Sequence, residues 1–316
     1  MSLYPRYPSG LVAAEMALVR FSLDLLSPCS LELRDLLGLR RPLHAAAGNL
    51  SPDRRAALLA PPLSPDPAAV RRYQKPAPPF VIRPGAHLAG THHEGDRLEL
   101  EVLFLGTGSL AIGVFLRLLQ TCGERGLVSG EGRFEVSAAH NQGADGKWRR
   151  FWGDAQPRGE LAPELVPLDQ WLDRAWPHSL PVIFELSTPA RLVAGGRVLR
   201  RPQFHQLFPF LLRRVTSMLH AHCGLEPVSE PAGLRDEVAL VEAKWLECHW
   251  LDWREGGGGD DPESIGGCVG RLQLAGPGLE NLLWIILLAT LFGCGKGAAY
   301  GAGQCRLARP ASTCRV

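Results

Sequence analysis

Strand-type and helix-type segments follow one another in the same order in the two halves of this chain. In the first half they are predicted at residues 15–27, 31–41, 79–84, 97–106, 110–119 and 132–139. In the second half they are predicted at residues 181–192, 204–222, 238–251, 268–275, 279–292 and 302–308. Strand, helix, strand, strand, helix, strand is the order of the ferredoxin-like, or split βαβ, motif. The sequence therefore predicts an α+β protein made of two tandem ferredoxin-like domains.

The composition between these segments sets the predicted domain boundaries. Residues 1–140 form the N-terminal domain, residues 141–180 a polar linker that contains proline and tryptophan, and residues 181–316 the C-terminal domain. Within the first domain, Pro42 is expected to end the first helix, because proline interrupts helical hydrogen bonding. The proline-rich residues 48–79 are expected to be irregular surface chain with one short helix near residues 54–59.

The two helices of the second half carry the strongest apolar patterns. Residues 204–222 place their apolar side chains at the spacing of one buried stripe, at Phe204, Leu207, Phe208, Leu211, Leu212, Val215, Met218 and Leu219. The longest apolar run, residues 282–289, is much shorter than the roughly 20 residues that span a membrane. The first ten residues also lack the pattern of a secretion signal. We therefore expect a buried helix at 282–289 and a soluble, cytoplasmic protein.

Charge and cysteine content argue against several classes of site. The formal net charge is +2, but the basic residues are four lysines and 30 arginines. Arginine suits bidentate contacts with phosphate, although a GC-rich genome would produce the same bias. The eight cysteines form no CxxC pair and do not stand with histidine at zinc spacing. We expect no metal, no cofactor and no disulfide framework.

A glycine-rich run, GCGKGAAYGAG at residues 293–303, lies between the last predicted helix and the last strand. A P-loop or a dinucleotide-binding loop requires the opposite order, a strand and then a helix. Backbone N–H groups in such a run can form a concave anion site, and Lys296 adds a positive charge. The alternatives are contact with a phosphate backbone, which five glycines around a lysine favour, and a tight turn with a purely structural role.

Several segments in the same order resemble the CRISPR repeat-processing endoribonucleases of the RAMP superfamily. The most specific is LFGCGKGAAYGAGQCRLA at residues 291–308, which is similar to the glycine-rich signature of that family. PPFVIRPG at 78–85 and the GEGRFEV strand ending at residue 136 are similar to first-domain segments. LRRPQFHQLFPFLLRRVTSML at 199–219 and CVGRLQLAG at 268–276 are similar to the second-domain helix and last hairpin.

The resemblance implies two RAMP domains, which are RRM-like. It also implies that the protein's partner is CRISPR repeat RNA, both as the precursor (pre-crRNA) and as the mature crRNA. It implies one metal-independent cut at the base of an RNA stem-loop, by attack of a 2′-hydroxyl on the adjacent phosphate, leaving a 2′,3′-cyclic phosphate. It further implies that the protein stays on the mature crRNA and joins other subunits of a CRISPR effector complex. The alternative is a non-catalytic RNA-binding RAMP subunit that acts as a scaffold in such a complex.

The resemblance also directs attention to the first helical region for catalysis. There His44 is the candidate general base or acid, because histidine titrates near neutral pH. The tyrosine and lysine partners seen in many relatives are not evident near His44. Arg34, Arg40 and Arg41 offer a second route: arginine stays protonated and cannot act as a base, but it can stabilise a charged transition state. Their alternative role is that of an ordinary solvated helix face.

The candidate RNA-binding residues lie in the second domain. They comprise the glycine-rich run, two arginines of the long helix, one of the last hairpin and one after the glycines: Gly293, Gly295, Lys296, Gly297, Gly301, Gly303, Arg213, Arg214, Arg271 and Arg306. Each arginine could equally be an ordinary surface charge. A small-molecule enzyme on the same two domains is a third interpretation, but no convergent acid–base or metal motif supports it.

Overall fold

The computed structural model describes residues 3–73, 75–128, 130–153, 162–253 and 265–308. The strands are β1 (Glu15–Leu25), β2 (Cys29–Leu31), β3 (Phe80–Arg83), β4 (Gly90–His92), β5 (Arg97–Leu105), β6 (Phe134–Gln142), β7 (Trp148–Gly153), β8 (Val166–Pro167), β9 (Val182–Ala190), β10 (Val193–Ala194), β11 (Arg197–Val198), β12 (Glu242–Trp253), β13 (Ile265–Ala275) and β14 (Cys305–Ala308). The helices are α1 (Leu33–Leu37), α2 (Arg40–Ala46), α3 (Pro52–Leu59), α4 (Pro67–Tyr73), α5 (Ile112–Arg125), α6 (Leu168–Ala175), α7 (Phe204–Cys223), α8 (Pro231–Ala239) and α9 (Leu279–Phe292).

Two antiparallel sheets form the framework, and they share one topology. The first has the order β3-β5-β1-β6-β7, and the second has the order β12-β13-β9-β14. In each sheet the first strand of its motif lies between the third and the fourth, and the second strand lies beyond the third. This is the arrangement that a split βαβ motif produces. The predicted α+β architecture of two ferredoxin-like domains is confirmed.

The helices pack on the sheets as their apolar patterns predict. On α7 most of the predicted stripe is buried, from Phe204 to Leu219, and only Leu212 is half-buried. Helix α9 is buried over nearly its whole length, and the predicted run at 282–289 lies inside it. Across the ranges that the structure describes, no helix combines the length and apolar content needed to cross a membrane.

The two domains share apolar cores. One cluster joins a face of the first sheet, through Met16, Leu18 and Leu103, to the residues of α7 and α9. The other cluster lies on the opposite face of β1, beneath α2 and α5, and it includes Ala299 and Tyr300 from the second domain. The segment that follows α9 therefore packs into the core of the first domain.

Two features of the first domain differ from the sequence-based expectation. The predicted helix at 31–41 ends earlier, because α1 stops at Leu37. A second helix, α2, then begins at Arg40, so Pro42 lies in its first turn instead of ending a helix. Proline is tolerated there because the first N–H groups of a helix have no intrahelical partner. The proline-rich residues 48–79 contain two helices, α3 and α4, where one was expected.

The segment predicted as a linker, residues 141–180, is partly built into the first domain. β7 pairs with β6 as an edge strand, and β8 pairs with the beginning of β1. On the same sheet the Arg20 guanidinium lies 3.9 Å from the ring centroid of Trp148, a cation–π arrangement. The side chains of β7 do not alternate between buried and exposed, and a register shift interrupts its pairing with β6. The sequence therefore carries no strand pattern there.

Candidate active site at the domain junction

His44 and Tyr300 meet where the two domains touch. The Nε2 atom of His44 lies 2.9 Å from the Oη atom of Tyr300, although 256 positions separate the two residues in the sequence. His44 is exposed on α2, whereas Tyr300 is buried and only 7% exposed. A buried hydroxyl that reaches an exposed imidazole can fix the orientation of that ring. This is the arrangement in which a third group orients a catalytic base.

Tyr300 reaches the first domain because the glycine-rich run folds back onto it. The ring of Tyr300 packs edge-on against Phe80, with centroids 5.7 Å apart. At the next position a side chain would not fit, since a Cβ on Gly301 would lie 2.4 Å from Cδ of Pro84. Burial raises the pKa of Tyr300 to about 12, with a smaller opposing effect from Arg40. The phenol therefore stays neutral near pH 7 and can accept or donate a hydrogen bond at His44.

Of the three candidate arginines of the first helical region, Arg40 lies beside this pair. Its guanidinium is 5.8 Å from the ring centroid of Tyr300, and its spacing of four residues from His44 puts both on one face of α2. Arg41 is exposed on the same helix. Arg34 belongs to α1, where its Nε atom forms an exposed ion pair with Glu32 at 3.0 Å. The structure thus brings His44, Arg40 and Tyr300 together.

Most of the glycine-rich run is closed on itself. The N–H of Cys294 donates to the carbonyl of Gly303, and the N–H of Gly303 donates to the carbonyl of Pro189, each at 2.9 Å. Gly293, Gly301 and Gly303 are buried, whereas Lys296 and Gly297 are exposed and Gly295 is half-buried. The buried, hydrogen-bonded ends of the run therefore have a structural role. The part of the run that faces solvent is the short tip at residues 295–297.

Two arginines hold the end of α9, directly before this run. The Nη1 atom of Arg83 donates to the carbonyl of Thr290 at 2.8 Å, and the Nε atom of Arg214 donates to the carbonyl of Phe292 at 3.1 Å. The last carbonyls of a helix lack intrahelical partners and carry partial negative charge, so cations stabilise them. Burial lowers the pKa of Arg214 to about 10 and also lowers the pKa of Arg83. Because Arg214 points inward, it differs from the surface position expected for an RNA contact.

The remaining predicted RNA-binding arginines are accessible to different degrees. Arg213 is half-buried with its guanidinium 5.0 Å from the ring centroid of Phe210, whereas Arg271 and Arg306 are exposed. The latter two flank Glu185 in one row of the second sheet, and the Nε atom of Arg271 lies 3.7 Å from Oε1 of Glu247. The alternating signs of this row reduce its net attraction for phosphate.

Tyr300 and Arg83 are the site residues that sequence reasoning missed. Tyr300 is the one aromatic residue in the run 293–303, and an aromatic among glycines was the available signal. Arg83 gave no signal, because it stands in an apolar strand whose partner could not be known. Among the residues that the structure places, no group of three or more His, Cys, Asp or Glu side chains could hold a metal ion.

Comparison with known families gives two matches along the chain. The sequence model of the CRISPR-associated endoribonuclease Cas6 family matches residues 184–305. A second model, described as an N-terminal domain, matches residues 55–164. No curated protein sequence matches this chain.

Solved structures match over nearly the whole chain. A product complex of Thermus thermophilus Cas6 is 18% identical with a TM-score of 0.54, and the match covers 92% of this chain and 99% of that one. A second Cas6 product complex is 19% identical with a TM-score of 0.52, covering 93% and 99%. A partial Cas6-RT-Cas1–Cas2 complex is 14% identical with a TM-score of 0.61, covering 99% of this chain and 48% of that one. At such low identity the structural likeness establishes the fold.

Proposed function

We propose that this chain, whose residues 184–305 match the Cas6 family model, is a Cas6-type protein that processes CRISPR repeat RNA. It binds a repeat stem-loop of the precursor and cuts it without a metal ion. The 2′-hydroxyl of the RNA attacks the adjacent phosphate and leaves a 2′,3′-cyclic phosphate and a free 5′-hydroxyl. The observation that carries this proposal is the 2.9 Å contact between His44 and Tyr300 beside Arg40.

The reaction requires three contributions that these residues can provide. A base removes the proton of the 2′-hydroxyl, an acid protonates the leaving 5′-oxygen, and cations stabilise the charge on the phosphorane. His44 is the residue of this group that moves a proton: its imidazole takes the proton of the 2′-hydroxyl and then, as imidazolium, returns a proton to the leaving 5′-oxygen. Arg40, with Arg41 on the same helix, supplies positive charge. Arg34 is already paired with Glu32, so its contribution is the weakest of the three.

Tyr300 acts as a positioning residue for His44. If Nε2–H of the imidazole donates to Oη of Tyr300, proton transfer is assigned to Nδ1, and the ring is held in one orientation. The buried phenol does not ionise near pH 7, since burial raises its pKa to about 12. The second domain thereby completes a site whose titrating group belongs to the first domain.

The RNA is held mainly by the exposed tip of the glycine-rich run and by nearby arginines. Lys296 and Gly297 are exposed at that tip, and Arg306 follows the run on β14. Arg213 and Arg271 extend the basic surface. Gly293, Gly301, Gly303 and Arg214 contribute indirectly, by shaping and supporting the run. The relatives solved as a product complex and as a Cas6-RT-Cas1–Cas2 complex support RNA and other CRISPR proteins as partners.

The proposed function is tested with the direct-repeat transcript of the genome that encodes this chain. We expect cleavage of the repeat in EDTA, a product that ends in a 2′,3′-cyclic phosphate, and no cleavage when the scissile nucleotide carries a 2′-deoxy sugar. Tight binding of both RNAs without any cut would support the scaffold alternative. Failure to bind the repeat at modest ionic strength would overturn both.

Replacing Tyr300 with phenylalanine is expected to slow cleavage about 2- to 12-fold, because one hydrogen bond contributes about 0.5–1.5 kcal/mol. The measurement is single-turnover cleavage at saturating protein, together with the dissociation constant for uncleavable RNA. The dissociation constant should not change, since the hydroxyl orients His44 and does not hold RNA. Tyr73→Phe removes a hydroxyl from another buried tyrosine and should leave the rate unchanged. Equal rates for Tyr300→Phe and the native protein would remove Tyr300 from the mechanism.

Replacing Lys296 with alanine is expected to weaken RNA binding regardless of repeat sequence. Loss of one phosphate contact should reduce the slope of log K against log salt concentration by about one. The measurement is a titration of RNA affinity between low and moderate salt. Lys244→Ala on the edge strand β12 removes another exposed lysine and is the matched control. An unchanged slope for Lys296→Ala would show that the tip does not touch phosphate.

A further inference from the structure

Two cysteine thiols are in direct contact in the second domain. The Sγ atoms of Cys248 on β12 and Cys268 on β13 lie 3.2 Å apart. In the register of these two strands, Trp250 lies directly opposite Cys268. Cys248 lies two residues before Trp250 on the same strand and is therefore a diagonal neighbour of Cys268. Diagonal neighbours of this kind lie within reach of each other. A disulfide would require the two sulfur atoms to approach by about 1.2 Å more.

The two thiols differ in their access to solvent. Cys248 is half-buried, and its Sγ atom lies 3.8 Å from the carbonyl oxygen of Arg200. Cys268 is fully buried, and burial raises its pKa well above the usual range, with a further increase from Cys248. Thiolates are the nucleophiles in thiol chemistry. An external reagent therefore meets Cys248 first, and Cys268 can react only with its neighbour.

We propose that Cys248 and Cys268 form an oxidisable pair that a hydroperoxide converts into a reversible intramolecular disulfide. The Cys248 thiol loses its proton, and the resulting thiolate attacks hydrogen peroxide. The O–O bond breaks, which gives a sulfenic acid and a hydroxide that takes up the released proton as the first water. The Cys268 sulfur then attacks the Cys248 sulfur, the S–O bond breaks, and a second water leaves with the remaining proton. The two sulfur atoms lose two electrons in total, and the peroxide oxygens gain them.

The same chain contains two internal comparisons. Cys294 and Cys305 also approach each other, with 3.9 Å between their Sγ atoms, but both are fully buried and have no exposed member to start the reaction. Cys223 is half-buried, like Cys248, but has no thiol contact among the residues that the structure describes. Cys248 therefore combines two properties that these comparisons have only singly: its thiol is accessible to solvent, and it contacts a second thiol.

The test treats the full-length native protein, free of RNA, with hydrogen peroxide and then blocks the remaining thiols. We expect the loss of two thiols, a mass lower by two hydrogens, and a peptide map that links the segments containing Cys248 and Cys268. Reduction with dithiothreitol should restore both thiols. Cys248→Ser should abolish the linkage, whereas the matched Cys223→Ser should leave it intact.

Any other outcome overturns the proposal. Such outcomes are an unchanged thiol count, a linkage between other cysteines or between two chains, or formation of the same product in Cys248→Ser. The native protein carries the decisive peptide map, so a variant that folds poorly does not remove the test. Because the readout is a covalent bond in RNA-free protein, its failure is distinct from failure of the proposed RNA processing.

Discussion

Replacing His44 with alanine lowers the single-turnover rate of repeat cleavage by about 10²–10⁴-fold, the range expected when a general acid or base is removed. The physical reason is that, among His44, Arg40 and Tyr300, the imidazole is the side-chain type suited to proton transfer near neutral pH. Arg40 stays protonated, and the pKa of Tyr300 is raised to about 12. The measurement is the rate at saturating protein in EDTA, with product ends identified by phosphatase sensitivity.

The dissociation constant of His44→Ala for uncleavable repeat RNA should stay within about threefold of the native value, less than one net hydrogen bond. His93→Ala is the control, because His93 is also an exposed histidine of the first domain, and it should cut at the native rate. Full activity of His44→Ala would remove the histidine from the mechanism. Catalysis would then rest on Arg40 and Arg41 as charge-stabilising groups.

The fold was largely predictable because each apolar pattern has a period that only one kind of element satisfies. Alternation along β5 and the helical stripe along α7 each selected the right element. The apolar pattern did not predict the element where burial does not determine which residues are apolar. The side chains of β7 do not alternate between buried and exposed. Pro42 signals the end of a helix although it stands at the start of one. Local chemistry cannot distinguish these two positions of proline, since both tolerate a missing N–H.

The candidate site was predictable only in the parts that lie close together in sequence. His44 and Arg40 share one short helix, so their proximity follows from helical spacing. Tyr300 joins them only through the packing of two domains, which no local pattern encodes. Arg214 could not be placed from the sequence for a similar reason. The apolar stripe of α7 identifies the buried face of that helix, but it does not show that the end of α9 covers Arg214 beside the stripe.

The sequence allows two causes for the glycine content of the run, contact with phosphate and a tight structural turn, and the structure shows the second. The run must leave α9, place Tyr300 in the first domain and return to β14 within a few residues. That path brings its backbone against Cys294, Pro84 and Arg191, with no room for side chains at several positions. Both roles are compatible. Packing fixes the neck of the run, residues 293–294 and 301–303, and leaves its tip at residues 295–297, with Lys296, exposed.

Replacing Gly303 with alanine is expected to destabilise the protein by about 2–5 kcal/mol, the sum of a left-handed backbone strain and an overpacking cost. Gly303 has φ +60, and a Cβ there would lie 1.8 Å from the carbonyl oxygen of Cys294. That contact is between two backbone segments joined by a hydrogen bond, so neither can move without opening the neck. The free energy of unfolding by guanidinium chloride measures the loss.

The comparison variant is Gly297→Ala at the exposed tip of the same run. Gly297 has φ +82, but a Cβ there would meet only Ala302 at 3.3 Å, so the expected cost is the backbone strain of about 1–2 kcal/mol. Because the neck also sets the position of Tyr300, Gly303→Ala should cleave repeat RNA more slowly than Gly297→Ala even at a temperature where both are folded. Equal unfolding free energies for the two variants would contradict a packed neck, and the run would then have to be held by RNA instead of by the protein.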